Sequence, residues 1–230
     1  MPRHIGIVAC SAEGAALCYR TICAEAAPLL GPHAHPEISL HSYSLADYMA
    51  PIERGDWAAV GELMLSSASK LKAAGADFLI CPDNTIHQAM LYVDGRSPLP
   101  WLHIAKVVAE EATRKGYRRL ALTGTRWLVE SGVYPEQLTE RGIEYCRPKA
   151  EERAEIARII MDELVYGIFK PESVAYFQQV IARLRDESGC DAVVLGCTEI
   201  PLILNDENSP LPTLDSTRLL ARAALKKALN

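Results

Sequence analysis

The feature that most constrains this 230-residue chain is that it repeats itself. Gly75-Ala76-Asp77-Phe78-Leu79-Ile80 is echoed by Gly189-Cys190-Asp191-Ala192-Val193-Val194, an offset of 114 residues counted from Gly75 to Gly189. Sliding the chain by that step, without gaps, lays Gly6–Ser11 on Leu120–Thr125, so that Ser11 falls on Thr125. It lays Asp83-Asn84-Thr85 on Cys197-Thr198-Glu199, and the stretch Trp57–Ala73 on the region that contains Val174–Arg185. Agreement of separate elements at one offset implies two similar halves with polar residues in matching places.

Local patterning gives those halves a fold class. Ile5–Ala9, Phe78–Ile80, Leu120–Thr123 and Ala192–Leu195 are short apolar runs, as expected of strands covered on both faces. Between them, Trp57–Ala73, Leu102–Lys115, Glu155–Leu164, Val174–Arg185 and Ser216–Leu229 place apolar residues at three- and four-residue steps, as helices do. The last has Asp215 or Ser216 as a cap and Lys226 and Lys227 where cations suit the dipole. Strands that alternate with helices predict an α/β fold with mainly parallel sheets, here two similar domains related by a pseudo-twofold axis. The turns Ser97-Pro98-Leu99-Pro100 and Ser209-Pro210-Leu211-Pro212 suggest the boundaries. The first half is expected over 1–97, joined by 211–230, and the second over 98–210.

Several function classes are excluded at this level. Twenty-four basic against twenty-nine acidic residues give a net charge of −5, without the basic excess of a general nucleic-acid binder. No apolar run reaches the ~20 residues that span a bilayer. Ile5–Cys10 is too short for a secretory core, and seven cysteines with no CxxC pair argue against a disulfide framework. A cytoplasmic protein is expected. No GxGxxG, P-loop or GxSxG motif is present. His33, His35 and His41 lie close in sequence without spaced Cys or carboxylate partners, so no metal site is expected.

Open α/β sheets bind ligands at the carboxyl ends of their strands, where both halves carry hydroxyls, an amide and one ionisable group. If the halves face each other, Asp83 and Cys197 stand on opposite sides of one cleft. Two proton-transfer groups on either face of a small ligand suit stereoinversion, one removing a proton from a tetrahedral carbon and the other returning it. Asp83 is ionised by default, with a reference pKa of ~3.9, and Cys197 is expected at the entry to a helix, where the dipole lowers a thiol from ~8.5. Ser11, Asn84, Thr85, Thr125 and Thr198 can grip carboxylates together with backbone N–H groups. Plainer roles stay open beside these: a buried structural thiol for Cys197, and helix caps for Asp83 and the hydroxyl residues.

At these residues the chain resembles the aspartate/glutamate racemase family, the cofactor-independent amino-acid racemases. The resemblance is carried by Ser11-Ala12-Glu13 with Tyr19, Asn84-Thr85 with His87, Leu122-Thr123-Gly124-Thr125-Arg126, Ile159–Leu164 ahead of Gly167, and Gly196-Cys197-Thr198-Glu199-Ile200. It implies two α/β domains with the active site between them, no pyridoxal phosphate or metal, a small amino-acid or dicarboxylate substrate and a homodimer. It also implies two cysteines as opposed bases, of which Cys197 matches the second.

Two departures matter. The first cysteine should stand directly before Asn84, where this chain has Asp83. Cys81 lies two residues early, and the internal repeat selects position 83. The family also places a lysine just after the glycine near Gly167 to hold a distal carboxylate; here Ile168 and Phe169 stand there, Lys170 is displaced, and Arg54 in the Tyr48–Gly55 loop is a substitute. The expected function is racemisation of an acidic amino acid by Asp83 and Cys197. The alternatives are a single-cysteine decarboxylase or cis-trans isomerase of a small dicarboxylic acid, or an inactive carboxylate-binding protein.

Overall fold

The computed structural model describes residues 1–230, and its contacts divide the chain into two compact units: Met1–Val107 with Thr217–Asn230, and Val108–Ser216. In the first, β1 (Ile5–Ala9), α1 (Ala12–Leu30), β2 (Ile38–Ser42), α2 (Leu45–Arg54), α3 (Trp57–Ala73), β3 (Phe78–Ile80), α4 (Met90–Val93) and β4 (Trp101–Leu102) follow in order. α5 (Ile104–Lys115) carries the chain into the second unit. There lie β5 (Arg119–Thr123), α6 (Arg126–Val129), α7 (Val133–Thr139), β6 (Glu144–Cys146), α8 (Ala150–Asp162), α9 (Pro171–Ser188), β7 (Ala192–Leu195) and β8 (Thr213–Asp215). α10 (Ser216–Leu229) returns to the first unit.

Each unit has one four-stranded sheet, ordered β2-β1-β3-β4 and β6-β5-β7-β8, and every pairing is parallel. The units thus share one strand order. Buried aliphatic side chains account for both cores: Ile5, Ile7, Phe78 and Ile80 pack on Ile22, Ile104 and Leu220 in the first. In the second, Val193 and Leu195 pack on Ile156, Ile160, Phe177 and Ile181. Burial on both faces is what a parallel sheet between helices requires.

The duplication extends to single hydrogen bonds. Asp77 accepts from the backbone N–H of His4 at 2.7 Å, and its counterpart Asp191 accepts from that of Arg118, also at 2.7 Å. Ser11 accepts from Gly14 N–H at 3.3 Å, and Thr125 from Leu128 N–H at 3.2 Å. All four pairs stand at the 114-residue offset. The expected match for Trp57–Ala73 is also met, since α9 begins at Pro171.

Several boundaries differ from expectation. Trp101–Leu102 pairs with β3, and Thr213–Asp215 with β7, so the chain crosses between units beyond each proline turn rather than at it. For the same reason α5 starts at Ile104, not Leu102. α8 starts earlier than expected because Glu152 reaches back to the Lys149 N–H at 2.7 Å, and Leu164 falls into a 3-10 turn after its end. α9 runs three residues beyond Val174–Arg185 at each end, opened by Pro171 in its first turn and closed by Gly189. Tyr48–Gly55 is not a loop: Ser44 caps α2, Tyr48 and Ile52 are buried, and Gly55 closes the helix.

Because Asp77 and Asp191 each anchor the amino end of a central strand, removing either carboxylate removes charge-assisted hydrogen bonds to the backbone. Asp77→Ala and Asp191→Ala are each expected to lower stability by about 1–3 kcal/mol, read from urea unfolding midpoints.

Candidate active site

In a parallel sheet every strand ends at the same edge, so the loops after neighbouring strands lie side by side about 4.8 Å apart. β1 and β3 are neighbours. Ser11 stands two residues beyond β1, and Asp83, Asn84 and Thr85 begin three beyond β3, so the structure gathers these four expected residues at one edge of the first sheet. Ser11, Asn84 and Thr85 are buried and Asp83 is half-buried. The Asp83 carboxylate accepts from the Ile86 N–H at 3.0 Å, and its backbone carbonyl accepts from His87 Nδ1 at 2.6 Å. Asp83 thus fills the capping role left open by the sequence. Cys81 is fully buried, and burial followed by the nearby Asp83 carboxylate pushes its thiol pKa well up, which makes it a poor source of thiolate.

The second unit repeats the arrangement with different chemistry. β5 and β7 are neighbours, Thr125 lies two residues beyond β5, and Cys197 and Thr198 follow two and three residues beyond β7. Gly196 permits the closeness of these two loops: a Cβ there would lie 2.5 Å from the Thr123 carbonyl oxygen. Cys197 does not enter an α-helix. It is followed by the three-residue 3-10 turn Ile200–Leu202, too short to supply the macrodipole that the sequence suggested. Its environment is set instead by Glu199, 3% exposed, whose Oε2 accepts from the Cys197 thiol at 2.9 Å and from the Thr198 hydroxyl at 3.1 Å. The thiol and the Thr198 hydroxyl thus both donate to one buried carboxylate oxygen. Glu199 carried no role in the sequence reading, although its position two residues after Cys197 was the available signal.

Arg54 and Lys170 each stand shortly before one of the two matching helices, α3 and α9, though not at matching positions. α3 leads straight into β3, and α9 into β7, so both helices begin at the edge where the strands end. Arg54 ends α2 just ahead of α3 and is exposed. Lys170 precedes α9, but its Nζ lies 3.2 Å from the carboxylate of Glu163, whose side chain is only 3% exposed. Glu163 also accepts from the Ser173 hydroxyl at 2.6 Å and from Arg158 at 2.9 Å. Ile168 and Phe169, in the family's lysine positions, are exposed apolar side chains. Lys170 is therefore engaged within its own loop.

The histidines separate clearly. His87 is buried beside Asp83, whereas His35 bonds the Pro36 carbonyl and His41 lies between Ser67 and Lys70. No three His, Cys, Asp or Glu side chains cluster in the manner of a metal site. No helix is long and apolar enough to cross a membrane.

Each sheet of this duplicated α/β fold ends in buried hydroxyls and one ionisable side chain, Asp83 in the first and Cys197 in the second. Comparison with known proteins is specific. A model of the Asp/Glu/hydantoin racemase family matches residues 5–224, and the chain belongs to that family, a family of isomerases. A candidate Asp/Glu racemase from Yersinia pestis, known from its crystal structure, is 32% identical with a TM-score of 0.90, over 99% of this chain and 100% of that one. PH1733, an aspartate racemase homologue from Pyrococcus horikoshii OT3, is 27% identical with a TM-score of 0.86, over 100% of both chains. RacX of Bacillus subtilis (strain 168), named a broad specificity amino-acid racemase, is 23% identical over 198 residues, 85% of this chain and 83% of that protein.

The Glu163 cluster generates a pH prediction. The Ser173 hydroxyl first, then Arg158 and Lys170, hold its carboxyl at about 2, against an ordinary 4.5. A carboxyl depressed by folding stabilises the native state fully above its unfolded pKa and loses that contribution as pH falls through its folded value. Glu163→Gln is expected to be less stable than wild type near neutrality. That difference should shrink below the ordinary 4.5 and close near 2, as followed by denaturation midpoints against pH.

Proposed function

We propose that this protein is an amino-acid racemase that works without cofactor, in which Asp83 and Cys197 act on one α-carbon from its two faces. The observation that carries the reading is the repeat itself: the chain belongs to a racemase family, and its two sheets present a carboxylate and a thiol at equivalent positions beyond equivalent strands. In one direction Asp83 takes the α-hydrogen as a proton. The electron pair left on carbon delocalises into the substrate carboxylate, which Ser11, Asn84, Thr85, Thr125, Thr198 and nearby backbone N–H groups hold. Cys197 then delivers its thiol proton to the other face. The enantiomer leaves behind a protonated Asp83 and a Cys197 thiolate, the starting state for the reverse direction, and exchange with solvent resets both. Glu199, which accepts from the Cys197 thiol, orients that thiol while it is protonated.

The substrate we assign is an acidic amino acid, aspartate or glutamate, with Arg54 as the cation for the distal carboxylate. Lys170 is the weaker of the two expected cations because it is already paired with Glu163. A site with one such cation selects side chains loosely, in line with the name of the relative RacX. The same reading takes the protein as cytoplasmic and as a homodimer, the latter checked by light scattering on the purified chain. A single-cysteine decarboxylase or diacid isomerase is the second reading, favoured by the presence of Asp83 where a cysteine is expected.

The test is incubation with L- and D-aspartate and L- and D-glutamate in D₂O, following α-hydrogen by NMR and chirality by chromatography. Loss of the α-hydrogen signal together with inversion is expected. No exchange with any amino acid, alongside CO₂ release from a substituted malonate or isomerisation of maleate, would give the second reading. Stabilisation by diacids with no turnover would give a binding protein.

A further inference from the structure

One buried titratable group beside the first half-site has no task in the chemistry above. His87 lies in the 3-10 turn Thr85–Ala89 and is 3% exposed. Its Nδ1 is 2.6 Å from the Asp83 carbonyl oxygen, and its Nε2 is 3.3 Å from the backbone nitrogen of Ile104, the first residue of α5. A backbone carbonyl can only accept and a backbone N–H can only donate, so these contacts select one form of the ring: neutral, with its proton on Nδ1. Burial first, then the His103 ring 4.6 Å away, keeps its pKa well below the ordinary histidine value. Both ring nitrogens are committed, which leaves His87 no lone pair or proton for catalysis.

We infer that His87 is the positioning residue for Asp83, clamping its backbone to the start of α5 and so setting the direction from which the carboxylate meets the substrate. The inference rests on the reading of Asp83 as one of two bases. Asp83 needs such a clamp because the segment between β3 and the Thr85–Ala89 turn belongs to no strand or helix. Its side chain has only two rotatable bonds, so backbone orientation dictates where the carboxylate points. The clamp also satisfies an N–H of the first turn of α5, which has no partner within the helix. The second half has no equivalent: the residue 114 positions on from His87 is Pro201, and Cys197 is served by Glu199 instead. His87 therefore acts on one base alone.

That asymmetry makes the test specific. In Cys197→Ala, Asp83 can still remove and return the α-hydrogen of one enantiomer, seen as exchange without inversion in D₂O; in Asp83→Asn, Cys197 does so for the other. His87→Leu, added to Cys197→Ala, is expected to slow the remaining exchange by about 10²-fold, the scale of a misplaced catalytic group. Added to Asp83→Asn, it should slow exchange far less, by at most a few-fold through Asn84 and Thr85. His87→Asn, whose amide nitrogen can reproduce the Nδ1 contact, should recover most of the loss. Equal loss in both backgrounds, or loss in neither, overturns the inference, whereas absence of exchange in the wild type overturns the racemase reading instead. A second measurement is independent of activity: ¹⁵N NMR of the histidine rings should show His87 as the Nδ1–H tautomer, without titration, across neutral pH. A titrating ring, or the Nε2–H form, contradicts the clamp.

Discussion

Parallel pairing of β1 with β3, and of β5 with β7, is the constraint on which the rest of this molecule depends. Parallel strands end together, so the loops that follow them are forced into proximity whatever their sequence. In each unit this brings a hydroxyl that caps a helix, Ser11 or Thr125, beside an ionisable group, Asp83 or Cys197. The site chemistry is a consequence of strand direction before it is a consequence of any individual side chain.

Duplication of the scaffold has not meant duplication of the chemistry. Asp83 is held by the Ile86 N–H and by the His87 contact to its carbonyl, both of which fix a carboxylate in place. Cys197 instead donates its thiol hydrogen to the buried Glu199 carboxylate. The approaches to α3 and α9 differ as well: α2 ends in an exposed arginine ahead of α3, whereas a lysine engaged by a buried glutamate precedes α9. Equivalent positions therefore carry different supports, each suited to the group it serves.

Much of this was legible in the sequence because the central strands and long helices carry strong local signals. Ile5–Ala9, Phe78–Ile80 and Ala192–Leu195, and the helices Trp57–Ala73 and Ser216–Leu229, were placed at their observed ends. The edge strands were not: β4 has two residues and β6 and β8 are three residues long and partly exposed, while β2, five residues long, reads Ile-Ser-Leu-His-Ser and lacks the buried apolar run of a central strand. α2 was hidden by Pro51 within it. The repeat and the family motifs singled out Asp83 and Cys197, the residues of the proposed mechanism, but partners chosen by tertiary packing were invisible. Nothing local indicates that Glu163 engages Lys170 seven residues on, or that His87 reaches Ile104 across seventeen. The expected helix dipole at Cys197 failed because a tight 3-10 turn follows where a helix was assumed.

The proposed mechanism requires a carboxylate from one half and a sulfur from the other to meet at a single carbon. A crystal structure with a slowly turned over amino acid bound tests this most directly. The account predicts the α-carbon about 3.5 Å from both Asp83 Oδ and Cys197 Sγ, on opposite sides, as proton transfer requires. A ligand that contacts only one of the two, with the other turned away or shielded by protein, would contradict it.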